Sequence, residues 1–146
     1  MKKFIIIGIG VVLLIAAAAL FWRFKAAKEM DAKNFQKLVG GWVAKDKDGL
    51  HDVITIHSNS TFICSVTPAD NMGLLYYFKG TLQVKNGILI ETITNHSDTN
   101  VHLPFISRMN LVRLQNDNFV VKTDNTTNEL VFGKLREIRH EGTTGN

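Results

Sequence analysis

Side chains able to do acid–base, nucleophilic or metal chemistry are few in this chain and stand far apart. The five histidines are His51, His57, His96, His102 and His140, and they show no metal-ligand spacing. Cys64 is the single cysteine, so a structural zinc site lacks its usual ligands and no disulfide can form within the chain. No base or cation flanks it in Phe62-Ile63-Cys64-Ser65-Val66, and a buried, inert thiol is the expectation. There is no Gly-x-Ser-x-Gly elbow and no glycine loop of the phosphate-cradling type. One charge is out of place: Glu91 interrupts the apolar run Ile88 to Ile93. It reads either as a carboxylate inside a barrel, matched to Arg108 or Arg113 on the next long strand, or as a solvent-facing position of an alternating strand. Together these residues argue against most enzyme classes. The expectation is a protein with no catalytic residues, no metal and no cofactor.

The elements that would carry any site begin with the N-terminus. Phe4 to Trp22 is a run of 19 residues without a charged side chain, long enough to span a bilayer core as a helix. Phe21 and Trp22, followed by Arg23 and Lys25, have the order of an interfacial aromatic belt and snorkelling cations. A cleaved signal peptide is the competing reading, because Ala16 to Ala19 offer small-residue cleavage sites; the length of the run and the bulky Phe21-Trp22 favour an uncleaved anchor. Counting basic residues near the span leans toward a cytoplasmic domain, whereas a very short basic N-terminus before a signal-like run favours export. We expect residues 1–25 to be a transmembrane or signal-anchor segment in the inner membrane, single-pass, with a periplasmic soluble domain.

Net charge supports that division. The whole chain carries +4, but four of its 17 basic residues, Lys2, Lys3, Arg23 and Lys25, flank the apolar run. The 13 that remain balance 13 acidic residues, so the rest of the chain has no electrostatic footprint for nucleic acid. Residues 26–39 are rich in helix formers, with a partial apolar stripe through Ala27, Met30, Phe35, Leu38 and Val39, and Gly40 ends the pattern. This connector reads as a spacer whose last turn plugs one end of the following domain, or as a partner-binding helix.

From Trp42 the apolar period changes from helical to two. Successive β runs are separated by turn residues, and Asn86-Gly87, between Leu74–Lys85 and Ile88–Asn95, is the strongest hairpin signal. About eight strands in sequential hairpins, with no helix between them, imply antiparallel neighbours and a sheet that closes on itself. The expected fold is mainly β: an antiparallel up-and-down barrel of about eight strands over residues 40–138, preceded by a transmembrane helix and followed by a disordered tail, 139–146.

Gly40-Gly41-Trp42, a Gly-x-Trp at the start of the first strand after a short helical turn, resembles the opening motif of lipocalins and the wider calycin group. The later rhythm, through Phe78-Lys79-Gly80-Thr81, Arg108-Met109-Asn110-Leu111 and Lys134-Leu135-Arg136, is similar too. The chain looks like the small bacterial lipocalin-like domains found behind a membrane anchor, over roughly residues 35–138. The resemblance implies structural roles for Gly40 and Trp42, with the tryptophan at the closed end of the barrel under an arginine from the last strand. Arg136 matches that position best and Arg113 second. The chain is shorter than the family's barrels and lacks their C-terminal helix and disulfide, so a barrel filled by its own side chains is the alternative to one with a ligand cavity.

Two functions follow from these readings. In the first, the protein is an anchored binding module for a small apolar ligand or lipid. Ile54, Ile56, Phe62, Tyr76, Phe78, Leu82, Val84, Ile90, Leu111, Val121 and Phe132 would line the lumen, and Glu91 and Arg108 would add a polar pair. In the second, a filled barrel recognises an envelope protein partner through Leu74-Leu75-Tyr76-Tyr77 and Val101-His102-Leu103-Pro104-Phe105. A monomer is expected in both.

Overall fold

The alternation that begins at Trp42 becomes, in the computed structural model of the chain, a sheet that closes on itself. Residues 2–45, 49–68, 73–123 and 128–135 are described, with side chains from residue 15 onward. One helix, α1 (Lys2–Leu38), precedes eight strands: β1 (Gly40–Lys45), β2 (His51–Ile56), β3 (Thr61–Thr67), β4 (Tyr76–Lys85), β5 (Ile88–His96), β6 (Phe105–Leu114), β7 (Asn118–Thr123) and β8 (Glu129–Lys134). Each strand pairs antiparallel with the next, and β8 returns to β1, giving a closed barrel in sequence order. Closure leaves the sheet with no unpaired edge.

The apolar N-terminus and the connector form one uninterrupted helix of 37 residues, about 55 Å long at 1.5 Å per residue. Among the described residues no helix is long and apolar enough to cross a membrane. Phe4 to Leu14, the larger part of the uncharged run, lie outside the described side chains.

Where α1 meets the barrel, the chain must turn sharply from helix into β1. Gly40 makes that turn at φ 132°, a backbone conformation that favours glycine. Two residues on, Trp42 points into the barrel and is fully buried. Its indole Nε1–H donates to the Leu38 carbonyl at 2.7 Å, satisfying one of the free carbonyls at the helix end. Phe119 meets the indole edge-on at 5.0 Å, and Phe132 stacks on Phe119 at 4.5 Å. Lys134 Nζ lies 5.3 Å from the centre of the Trp42 ring. Among the described residues the cation over the tryptophan is thus a lysine of β8. Arg136 lies outside the described residues, and Arg113 is exposed on β6. Leu38, completely buried, plugs this end of the barrel, and its burial contributes about 2 kcal/mol.

Two β-bulges set which side chains point inward. Between β4 and β5 the register runs from Gly80↔Ile93 to Lys79↔Asn95, leaving Thr94 as an extra residue. Leu89, Glu91 and Ile93 are inward, and the bulge then lets His96, opposite inward-facing Phe78, face the same way. Between β6 and β7 the shift between Leu111 and Arg113 leaves Val112 extra and half-exposed, and returns Leu114 to the inner face opposite Phe119.

The first bulge needs a glycine. A Cβ on Gly80 would stand 1.9 Å from the Thr92 carbonyl oxygen, which is backbone and cannot step aside. At Gly133 the nearest atom to an added Cβ is the Val43 carbonyl oxygen at 3.9 Å, an ordinary contact. Gly80→Ala should therefore cost about 3 kcal/mol or more in urea unfolding, whereas Gly133→Ala should change stability by less than about 1 kcal/mol. Equal effects would contradict this account of the bulge.

Candidate functional site

Strand parity and packing sort the expected lumen residues into three groups. Ile54, Ile56, Phe62 and Leu82 point inward, as alternation requires, but they are packed into one cluster with Trp42, Leu89, Phe119 and Phe132 and expose almost no surface. Val84, Leu111, Val121 and Phe132 also belong to this core or pack against it. They fill the half of the barrel nearest α1. Tyr76 and Phe78 sit on the inner face toward the opposite end and keep part of their surface. Ile90 is a correction. It lies between the inward positions Leu89 and Glu91, so it must point outward.

Arg108 is corrected for the same reason. It stands opposite Ile90 on the outer face and is exposed, while Glu91 stands opposite Ser107 on the inner face. A lumen ion pair between Glu91 and Arg108 is excluded by register. Ile90 and Arg108 form a cross-strand pair on the barrel's exterior instead.

Glu91 itself is inside, with 7% of its surface exposed. The neighbour that acts on its carboxyl is the Asp52 carboxylate, of the same sign. Burial first, and Asp52 second, raise its pKa from 4.5 to about 7. Cys64 faces the same interior, and burial, with Asp52 and Glu91 adding to it, pushes its thiol well up. Cys64 is therefore a thiol and no nucleophile. The described residues contain no group of three or more His, Cys, Asp or Glu side chains placed to hold a metal ion.

Above Glu91, toward the end of the barrel away from α1, three rings form a ladder on the inner wall. His96 lies 5.5 Å from Tyr76 and 5.9 Å from Phe78, and Tyr76 lies 6.4 Å from Phe78, all close to parallel. The peptide N–H of Asp98 donates to His96 Nδ1 at 2.9 Å and fixes the orientation of the imidazole. The Ile93–Gly80 pair separates Glu91 from this ladder and from the barrel end beyond it. Around its rim Leu74, Leu75, Leu103 and Phe105 are exposed.

A concavity lies at the other end, between α1 and the β4–β5 hairpin. This groove has a volume of about 690 Å³. Phe24, Ala27, Ala32 and Phe35 line it from the helix, and Leu82 and Val84 from the barrel, so its walls are mostly apolar. Lys28 and Lys85 stand on opposite sides. Asp31 accepts a hydrogen bond from the Asn86 N–H at 3.0 Å and clasps helix to hairpin across the groove. Sequence reasoning missed this site, because it joins segments about fifty residues apart; the apolar stripe of the connector was its one visible trace.

Fold and site together define a small, closed, eight-stranded antiparallel barrel with a helix sealing one end and a groove beneath that helix. Among solved structures, a lipocalin-like protein from Bacteroides uniformis is similar to this chain, with a TM-score of 0.49 and 15% identity, covering 68% of this chain and 99% of that one. No family model matches the chain, and no curated protein matches it.

The Glu91 carboxyl makes stability depend on pH. Its folded pKa lies above the unfolded value, so the folded state holds the proton more tightly, and that stabilisation is present below about pH 4.5 and lost as pH rises through about 7. Relative to a Glu91→Gln variant, the wild type should lose about 3 kcal/mol between pH 4.5 and pH 8 in paired urea titrations. Parallel pH profiles for the two proteins would show that the Glu91 pKa is unshifted.

Proposed function

We propose that this protein is a membrane-tethered, non-catalytic binding module for a small apolar ligand or lipid, held in the groove between α1 and β4. The groove carries this reading. Its volume of about 690 Å³ lies within the roughly 300–1,000 Å³ usual for small-molecule sites, and its lining is mostly apolar with a few polar groups. The packed half of the barrel offers no comparable space to the lumen residues there. Lys28 and Lys85 suit a ligand with an anionic end, such as a fatty acid or an acidic lipid.

The tether is part of the proposal. Phe4 to Trp22 would span the inner membrane, and the same helix runs on into the plug, so the groove would begin two residues beyond Trp22, at the membrane surface. The barrel would then lie in the periplasm as a monomer, presenting its far rim to solvent. A second reading, recognition of an envelope protein partner, is favoured by exposed Leu74, Leu75, Leu103 and Phe105 on that rim. The balanced charge of the domain gives no reason to invoke nucleic acid.

A polyene fatty acid that fluoresces in apolar surroundings, titrated into the full-length protein in mild detergent, tests the groove. Ala32→Trp, at an exposed helix position that lines the groove, should weaken binding about tenfold, equivalent to about 1.4 kcal/mol. Lys28→Glu should weaken the acid more than the corresponding alcohol, and Phe78→Leu in the barrel should leave both unchanged. No saturable uptake by the wild type, or loss on Phe78→Leu alone, would overturn the groove reading.

A further inference from the structure

The outer wall of the barrel is uneven in charge. Lys79 and Lys85 project outward from β4, and Arg108 and Arg113 from β6, and all four are exposed. Strands β4, β5 and β6 together contain one carboxylate, Glu91, and it points inward. The outward positions of three adjacent strands therefore carry cations and no acid. On β7 and β8, by contrast, Lys122 stands opposite Glu129. Register also sets isoleucines among the cations. Ile88 and Ile90 face outward on β5, where Ile88 pairs with Lys85 and Ile90 with Arg108, and exposed Ile106 follows on β6. Cations with apolar side chains between them match a lipid surface, which offers anionic headgroups above an acyl boundary. A nucleic acid offers the charge without the apolar layer.

The helix turns this wall toward the membrane. Leu38 sits in the barrel and Asp31 holds the Asn86 N–H at the tip of the β4–β5 hairpin, so α1 leaves the barrel past these strands. Phe24, two residues after Trp22, lines the same groove as Lys85. Asp31 follows Trp22 by nine residues, a rise of about 14 Å along the helix. Headgroups fill roughly 5–8 Å outside the hydrocarbon core. Extended lysine and arginine side chains reach across much of the remainder. We propose that the outward face of β4, β5 and β6 docks on the surface of a bilayer rich in anionic lipid, with its cations on the headgroups and its isoleucines between them. The inference rests on the tether proposed above and deepens it: the helix holds the protein in the membrane, and the wall lays the barrel against it. Lys85 belongs to both wall and groove, so a docked barrel keeps the groove against the leaflet.

Full-length protein with methyl-labelled isoleucine, in nanodiscs that include a lipid with a paramagnetic headgroup, tests this. The methyls of Ile90 and Ile106 should broaden about threefold more in phosphatidylglycerol discs than in phosphatidylcholine discs. Ile63, exposed on the outer face of β3, and Ile54 in the core should behave alike in both. Salt at about 0.5 M, which cuts the screening length to roughly 4 Å, should remove the difference. Lys79→Glu combined with Arg108→Glu and Arg113→Glu should remove it too; these positions are exposed and outside the groove, and unchanged Ile54 and Ile56 shifts would show an intact fold. Retention in phosphatidylcholine discs reads the tether by itself. A protein retained there, with Ile90 and Ile106 broadened equally in both discs or no more than Ile63, has a tether and no docking face. Retention in phosphatidylglycerol discs alone, with the broadening, would refute the tether and support the face, and retention in neither would refute both. Shifts of Ile90 and Ile106 on adding a DNA duplex to phosphatidylcholine discs would reassign the wall to nucleic acid and overturn the proposal.

Discussion

The rest of this structure depends on one joint, the hydrogen bond from the Trp42 indole to the carbonyl of Leu38 at the end of α1. A helix end leaves carbonyls unsatisfied, and a barrel end leaves a hole; here one side chain answers both needs. The indole reaches back four residues, Leu38 fills the space beneath it, and Phe119 and Phe132 extend the aromatic packing across to the far wall. Because the bond is local in sequence and the packing is not, the joint fixes the helix to the barrel at a defined angle. The Asp31–Asn86 clasp adds a second attachment point, and the groove opens around it, with Phe24 and Ala27 before it and Ala32 and Phe35 after it on the helix. The groove is the consequence of that geometry.

The same joint divides the barrel into unequal halves. Near the helix, large apolar side chains meet at the axis and leave no room, as expected of a small barrel filled by its own residues. Away from the helix the inner wall changes character. Glycine at position 80, the bulge at Thr94 and the turn back of His96 add a flat aromatic ladder beside buried Val66, Cys64 and Ile93. Glu91 lies at the transition, buried among the inward side chains.

Much of the architecture was legible in the chain because period-two alternation and turn residues are local signals. The Asn86-Gly87 hairpin and the eight strands could be read directly, and structural roles for Gly40 and Trp42 followed from the resemblance. The inner face was harder. Ile90 and Glu91 cannot both point inward, and taking Ile90 for a lining residue was a parity error that also misplaced Arg108. Lys134, which lies over Trp42, stands in the same stretch as the arginine to which the resemblance pointed, Arg136, which lies outside the described residues. His96 was unreadable for a different reason. Its inward orientation depends on the bulge, whose only trace in the sequence is a glycine in the middle of β4. The groove had almost no local signal at all, since its two walls come from the connector and from β4.

The account's central claim is that an apolar ligand sits between helix and barrel and leaves the packed half of the lumen closed. Intermolecular nuclear Overhauser effects from a protonated fatty acid to a methyl-labelled, otherwise deuterated full-length protein test it most directly. The predicted result is magnetisation transfer to the methyls of Ala27, Ala32 and Val84, with none to Ile54 or Ile56. Transfer to Ile54 and Ile56, with silence from Ala27 and Ala32, would place the ligand inside the barrel and contradict the account.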